Sequence, residues 1–134
     1  FDKQYVIEYI KSFSPRFSKD RPGRATFIYP PPHADPAVMA EKGKKVYEKT
    51  GCATCHGEKG RGDGASAPEL KDDWENPITP ANFTKGNIKT GKEDWKIFRT
   101  ISNGLGGTPM PSFVDQLKPE EIWALVYYVR SLKE

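Results

Sequence analysis

The chain has 134 residues, enough for one compact domain and a tail but short of two independent cores. Hydrophobic residues make up 36% and charged residues 29%, with 12 Gly and 12 Pro, which is lean for a core built from side chains alone; a large apolar cofactor would fill the deficit. A formal net charge of +3, with both signs mixed along the chain, is too weak to argue for nucleic-acid binding and leaves a mild preference for acidic partner surfaces.

In chain order, Tyr5 to Phe13 places Val6, Ile7, Ile10 and Phe13 at helical spacing and predicts a short amphipathic helix. Residues 15 to 36 carry six prolines, three of them consecutive at Pro30, Pro31 and Pro32, and this enforces extended backbone suited to a linker or a surface arm. Residues 1–35 are therefore read as an N-terminal helix and Pro-rich arm, and 36–134 as the folded domain. Asp35-Pro36 is a helix start, an N-cap acid before proline at the first helical position, and predicts a helix over about 36–49 with Met39, Gly43, Val46 and Tyr47 on one face.

From Gly57 to Gly91 the composition turns to Gly, Pro, Asp, Asn and Lys, which is loop chemistry, and a loop of that length needs something to wrap around. Helical spacing returns at Glu93 to Ile101 and closes at Asn103-Gly104. Pro119 with Glu120 and Glu121 opens a last helix striped by Ile122, Leu125, Val126 and Val129. No strand pair stands out, so the fold class is all-α. The longest strongly apolar run, Ile122 to Val129, falls far short of the roughly 20 residues a membrane-spanning helix needs. There is no basic-then-apolar leader at Phe1, so either an export signal has been removed or the numbering begins inside a longer precursor.

YVIEYIKSF at 5–13 aligns with ALVYYVRSL at 124–132, apolar for apolar at most positions. Two readings stand: any two amphipathic helices look alike over nine residues, or the first helix closes a preceding, similar domain.

Cys52-Ala53-Thr54-Cys55-His56 is the C-x-x-C-H haem attachment pattern. Two intervening residues let one helical turn present both sulfurs to the haem vinyl groups, and the histidine that follows is placed to bind iron. A redox dithiol would want alternating strands and helices, and a zinc ribbon a second ligand pair; both cysteines of the chain lie in this motif and only His33 is left over. One covalent haem c, held through Cys52 and Cys55 with His56 as axial ligand, is the expectation.

Across about 36–133 the chain resembles class I cytochromes c. Gly43-x-x-x-Tyr47 resembles the family's first-helix pattern, in which glycine lets the last helix cross closely; Leu125 and Tyr128 would be the partners there. The resemblance also implies that the carbonyl of Pro68, twelve residues after His56, accepts the other imidazole N–H, and that Leu70 lies against the haem. Gly107-Thr108-Pro109-Met110-Pro111 resembles the family's distal-methionine loop, with Pro109 and Pro111 restricting the backbone around a sixth ligand, Met110. Met39, on the helical face with Gly43 and Tyr47, reads as core, and His33 as a solvated loop histidine. Phe83, Trp95 and Phe98 are expected to wall the haem, with Trp95 and Arg99 as partners for its propionates.

An iron with both axial positions filled has no open site for substrate, so the expected function is one-electron transfer between a donor and an acceptor protein instead of catalysis. The alternatives are a haem domain or subunit of a larger oxidoreductase, a haem that binds a small ligand, and a docking module using the Pro-rich arm. The resemblance implies a periplasmic or otherwise extracytoplasmic location.

Overall fold

In a computed structural model, residues 2–13, 15, 27–86 and 88–134 are described. The stretch of the Pro-rich arm from 16 to 26 lies outside the described residues, while 27–32 is extended. Five α-helices follow one another: α1 Lys3–Ser12, α2 Pro36–Lys49, α3 Ala53–His56, α4 Asp94–Asn103 and α5 Pro119–Ser131, with a 3-10 turn at Ala67–Glu69. Among the described residues the only ladder contact is an isolated antiparallel bridge between Lys71 and Pro77, in keeping with the all-α expectation.

The starts of α2 and α5 fall at the caps their sequence carries, while α1 begins at Lys3, two residues before the expected Tyr5. The carboxylate of Asp35 accepts from the backbone N–H of Ala37 at 2.8 Å and of Val38 at 3.2 Å, satisfying two donors that the first turn of α2 leaves unpaired. At α5 the carboxylate of Glu121 reaches back to the backbone N–H of Lys118 at 2.9 Å, the return half of a capping box, with Pro119 as the first helical residue. On α1, Asp2 caps the N–H of Gln4 at 3.0 Å, yet no residue of this helix is buried.

The core lies where α2 and α4 pack on α5. Met39, Val46 and Tyr47 of α2, Ile97, Phe98 and Ile101 of α4 and six apolar residues of α5 between Ile122 and Val129 form one buried cluster, joined by Tyr128. Met39 is a core residue, 3% exposed, as its helical face predicts. The crossing of α2 and α5 is set by Gly43, where an added Cβ would stand 2.5 Å from the carbonyl carbon of Ala124 and 2.8 Å from Cβ of Tyr128. Only a missing side chain lets the two backbones approach this closely. The expected partners are Leu125 and Tyr128; the atoms nearest the glycine are the backbone carbonyl of Ala124 and Cβ of Tyr128, with Leu125 buried in the core beside them. One turn on, the Tyr47 and Tyr128 rings meet edge to face at 5.2 Å.

The arm also docks on this core. Ile28 packs against the cluster, and the indole N–H of Trp123 donates to the carbonyl of Tyr29 at 3.0 Å. No described helix is long and apolar enough to cross a membrane.

Candidate haem site

Cys52 and Cys55 bracket the start of α3 as two free thiols, both half-buried. Cys52 follows directly from α2: its N–H donates to the carbonyl of Tyr47 at 3.2 Å, and its sulfur lies 3.2 Å from the hydroxyl of Thr50, which is itself anchored on the Val46 carbonyl. Burial pushes the Cys52 thiol above its ordinary pKa, opposed by the Thr50 hydroxyl.

A four-residue helix leaves its carbonyls without internal partners, and the loop that follows supplies them. The N–H groups of Gly62, Gly64 and Ser66 donate to the carbonyls of His56, Cys55 and Thr54 at 2.8, 3.1 and 2.9 Å. The hydroxyl of Tyr47 donates to the Gly57 carbonyl at 2.7 Å, tying the same turn to the core. The loop therefore wraps the attachment turn backbone to backbone, which explains its glycine content.

His56 is partly buried, and desolvation lowers its pKa, opposed by the nearby Ala81 carbonyl, so the ring is neutral at pH 7 as a metal ligand must be. Its Nδ1 lies 3.3 Å from the carbonyl oxygen of Ala81, and the Phe83 ring stacks on it at 4.7 Å with an interplanar angle of 24°. The resemblance placed the Pro68 carbonyl in this role. Pro68 sits on the exposed 3-10 turn Ala67–Glu69, and the acceptor within reach of Nδ1 is Ala81. Leu70 is half-buried behind that turn, where its carbonyl accepts from Ile78 at 3.0 Å.

Met110 lies in the connection from α4 to α5 and packs, half-buried, against the core. The connection is pinned along its length. The carbonyls at the end of α4 take three donors, with Ile101 accepting from the Phe113 N–H at 3.3 Å and Ser102 from the Val114 N–H at 3.1 Å and the Ser112 hydroxyl at 2.6 Å. Met110 itself is bonded on both sides of its peptide, its carbonyl accepting from Leu105 at 3.2 Å and its N–H donating to the Thr108 hydroxyl at 3.3 Å. Gly104, with φ of 70°, turns the chain at a point where a Cβ would stand 2.6 Å from the Met110 carbonyl oxygen. Pro109 is exposed beside the methionine.

Trp95 and Arg99 lie together on the exposed side of α4. Phe98 is buried against Trp123 at 5.0 Å between ring centres, while Trp95, three residues earlier, is 44% exposed, although Asp94 beside it pairs with Arg130 of α5 at 3.4 Å. Two cations lie over the Trp95 ring, the Arg99 guanidinium at 5.2 Å and the Lys96 ammonium at 5.4 Å. Within the polypeptide itself Trp95 is therefore no part of the packed core. His33 lies in the arm before α2, away from the attachment turn in sequence.

The donor chemistry fits haem c. Two thiols one helical turn apart, adjoining a neutral imidazole, match two vinyl groups and an iron, while the half-buried apolar side chains of Phe83, Ile88, Met110 and Phe113 border the core as a hydrophobic macrocycle requires. The family model for cytochrome c matches residues 40–133, from the middle of α2 through α5. The chain belongs to the cytochrome c family. Its cofactor is haem c, attached through Cys52 and Cys55.

This cytochrome c is 30% identical over 131 residues to the cbb3-type cytochrome c oxidase subunit FixP of Azorhizobium caulinodans, an alignment that takes in 98% of the chain and 34% of the relative. It is 33% identical over 95 residues to FixP of Bradyrhizobium diazoefficiens, covering 69% of the chain and 27% of the relative. The chain thus spans about a third or less of the length of these curated relatives. Among solved structures it superposes on the reducing HAO-like protein complex of Kuenenia stuttgartiensis with a TM-score of 0.87 and 41% identity, over 96% of this chain and 59% of that one.

Bound haem supplies a one-electron iron couple. The polypeptide supplies a neutral imidazole at His56, a fixed backbone around the attachment turn, and an apolar border that limits water near the site.

Proposed function

We propose that this cytochrome c carries single electrons between redox partner proteins, with His56 and Met110 as the two axial ligands of its haem. The pinning of Met110 carries the reading: a thioether is a weak ligand, and a peptide bonded on both sides within a loop anchored to α4 holds it at a fixed place with little ordering cost at binding. A filled sixth position leaves no site for substrate, and a thioether raises the potential of the couple. Pro68, Leu70, Phe83 and Pro109 border the haem in this proposal, and Trp95 with Arg99 forms the cationic end of α4 suited to a propionate.

The relatives, an oxidase subunit and a protein complex, support a place in a larger assembly, as a subunit or domain of an oxidoreductase. An extracytoplasmic compartment and a neighbouring cytochrome domain on the N-terminal side belong to the same proposal. The alignment with FixP and the superposition each run past the cytochrome c region into the arm, and α1 presents Tyr5, Tyr9, Ile10 and Phe13 more than half exposed, with the apolar pattern that α5 buries in this domain.

Optical spectra test the ligand set. The ferric protein is expected to show the near-infrared sulfur-to-iron band, lost in Met110→Ala and kept in the core control Met39→Ala. A wild-type protein without that band, or one that binds carbon monoxide readily, refutes the closed electron-transfer site.

A further inference from the structure

Of the three tryptophans, Trp123 is buried and bonded to the arm and Trp95 is covered by two cations. Trp74 is different. It is 78% exposed, the most exposed of the large hydrophobic side chains described, and no aromatic or cationic group covers its ring among the described residues.

Single exposed apolar residues are ordinary on protein surfaces. The manner of presentation is what singles this one out. Leu70 to Ile78 forms a tight hairpin: Ile78 donates to Leu70 at 3.0 Å, Asp72 to Asn76 at 2.9 Å and Glu75 to Asp72 at 3.0 Å. The Asp72 carboxylate accepts from the N–H groups of Trp74 and Asn76, both at 2.9 Å. Glu75 completes the turn at φ of 65°, a conformation that costs a non-glycine residue about 1 kcal/mol or more. A tryptophan on such a frame gives up little conformational freedom when a partner covers it, which is the property of an interface anchor.

The hairpin is also joined to the methionine connection, since the Asp73 N–H donates to the Gly107 carbonyl at 3.0 Å. The surface around Trp74 is therefore continuous with the loop that carries Met110. Its charge runs against that of the molecule: Glu69, Asp72, Asp73 and Glu75 face one lysine, Lys71, on a chain of net charge +3.

We propose that the Trp74 hairpin is the docking element for one redox partner, a protein that presents an apolar depression rimmed by lysine or arginine. Complementary charge steers the encounter, and the indole, desolvated at the centre, holds it. The net positive charge elsewhere on the molecule suits the other partner, whose surface is acidic. The proposal rests on the electron-carrier reading above, and one arm of the test separates the two.

The test uses the haem-loaded chain and three probes: a strongly basic cytochrome c, an acidic flavodoxin and a neutral quinol. Second-order rates of electron exchange are read by stopped flow at several ionic strengths, each pair mixed in the direction that runs to completion. Trp74→Ala is expected to slow exchange with the basic cytochrome about tenfold or more, Trp74→Phe to restore most of it, and the double variant Glu69→Lys/Asp73→Lys to reverse its salt dependence. The quinol rate should stay within about twofold of the parent throughout, and so should the flavodoxin rate in the two Trp74 variants, which leave the charge unchanged. An unchanged rate with the basic cytochrome in Trp74→Ala overturns the proposal, as does a parallel fall with the quinol, which would mean that Trp74 supports the haem site itself. A parent protein that exchanges electrons with none of the three probes refutes the carrier reading instead.

Discussion

Replacing Gly43 by alanine adds one carbon at the point where α2 and α5 touch. The new Cβ would stand 2.5 Å from the carbonyl carbon of Ala124 and 2.8 Å from Cβ of Tyr128, whereas carbon atoms in contact keep about 3.5–4.0 Å. Two of the obstructing atoms belong to helix backbone, so no side-chain rotation relieves them, and the helices must separate by about 1 Å. That loosens the Tyr47–Tyr128 ring pair and the cluster beneath it. Overpacking of this kind costs about 3 kcal/mol or slightly more, while the better helix propensity of alanine returns about 1 kcal/mol. The net loss of about 2 kcal/mol lowers the melting temperature of a domain of this size by about 6–10 °C. Thermal unfolding followed by far-ultraviolet circular dichroism and by the haem Soret band reads it, with the exposed α2 variant Lys44→Ala as control. A Gly43→Ala protein melting within about 2 °C of the parent, or above it, refutes the reasoning.

Two further outcomes follow from single hydrogen bonds. Trp123→Phe keeps the ring against Phe98 but removes the donor to the Tyr29 carbonyl, so hydrogen exchange over residues 27–34 should accelerate while stability falls by about 0.5–1.5 kcal/mol; unchanged protection of the arm would show that Trp123 does not hold it. Tyr47 is pushed above the ordinary tyrosine pKa, chiefly by burial, so the fold favours its neutral phenol; that contribution is complete below about pH 10 and is lost as pH rises further. Tyr47→Phe should cost about 1–2 kcal/mol at pH 7 and show a flatter loss of stability between pH 9 and 11 than the parent; equal alkaline slopes in the two proteins would refute the assignment.

What the sequence discloses here is what depends on neighbours along the chain. The Asp35-Pro36 start, the α2 face carrying Met39, Gly43 and Tyr47, and the attachment turn at Cys52, Cys55 and His56 all follow from local spacing, and the fold and cofactor bear them out. Contacts between distant segments carry no such signal. Nothing in the composition of residues 81–83 singles out the Ala81 carbonyl as the acceptor beside His56, since any residue has a carbonyl and only the path of the loop selects one. Trp95 shares the helical spacing of Phe98 and Ile101, yet it is 44% exposed where they are buried; spacing gives a direction around the axis and not what covers each turn. The Leu70–Ile78 hairpin was read as undifferentiated loop, although Asp72-Asp73-Trp74-Glu75-Asn76 holds a turn signal in the reach of an aspartate to its own backbone two and four residues on. For the proline-rich stretch, read as a linker or a surface arm, the contacts are again long-range, with Ile28 against the core and the Tyr29 carbonyl accepting from Trp123.

Three separate segments converge on α5: the arm at Trp123, α2 at Ala124 and Tyr128, and the glycine loop at Tyr128, whose hydroxyl donates to the Glu58 carbonyl at 3.4 Å. All three precede it in the chain. A polypeptide delivered from its N-terminus therefore presents the Cys52–His56 turn before the helix that locks the domain has arrived. Until that helix joins, the two cysteines sit on a chain whose core is not yet closed. The order of the segments thus sets the attachment turn ahead of the helix on which the arm, α2 and the glycine loop converge.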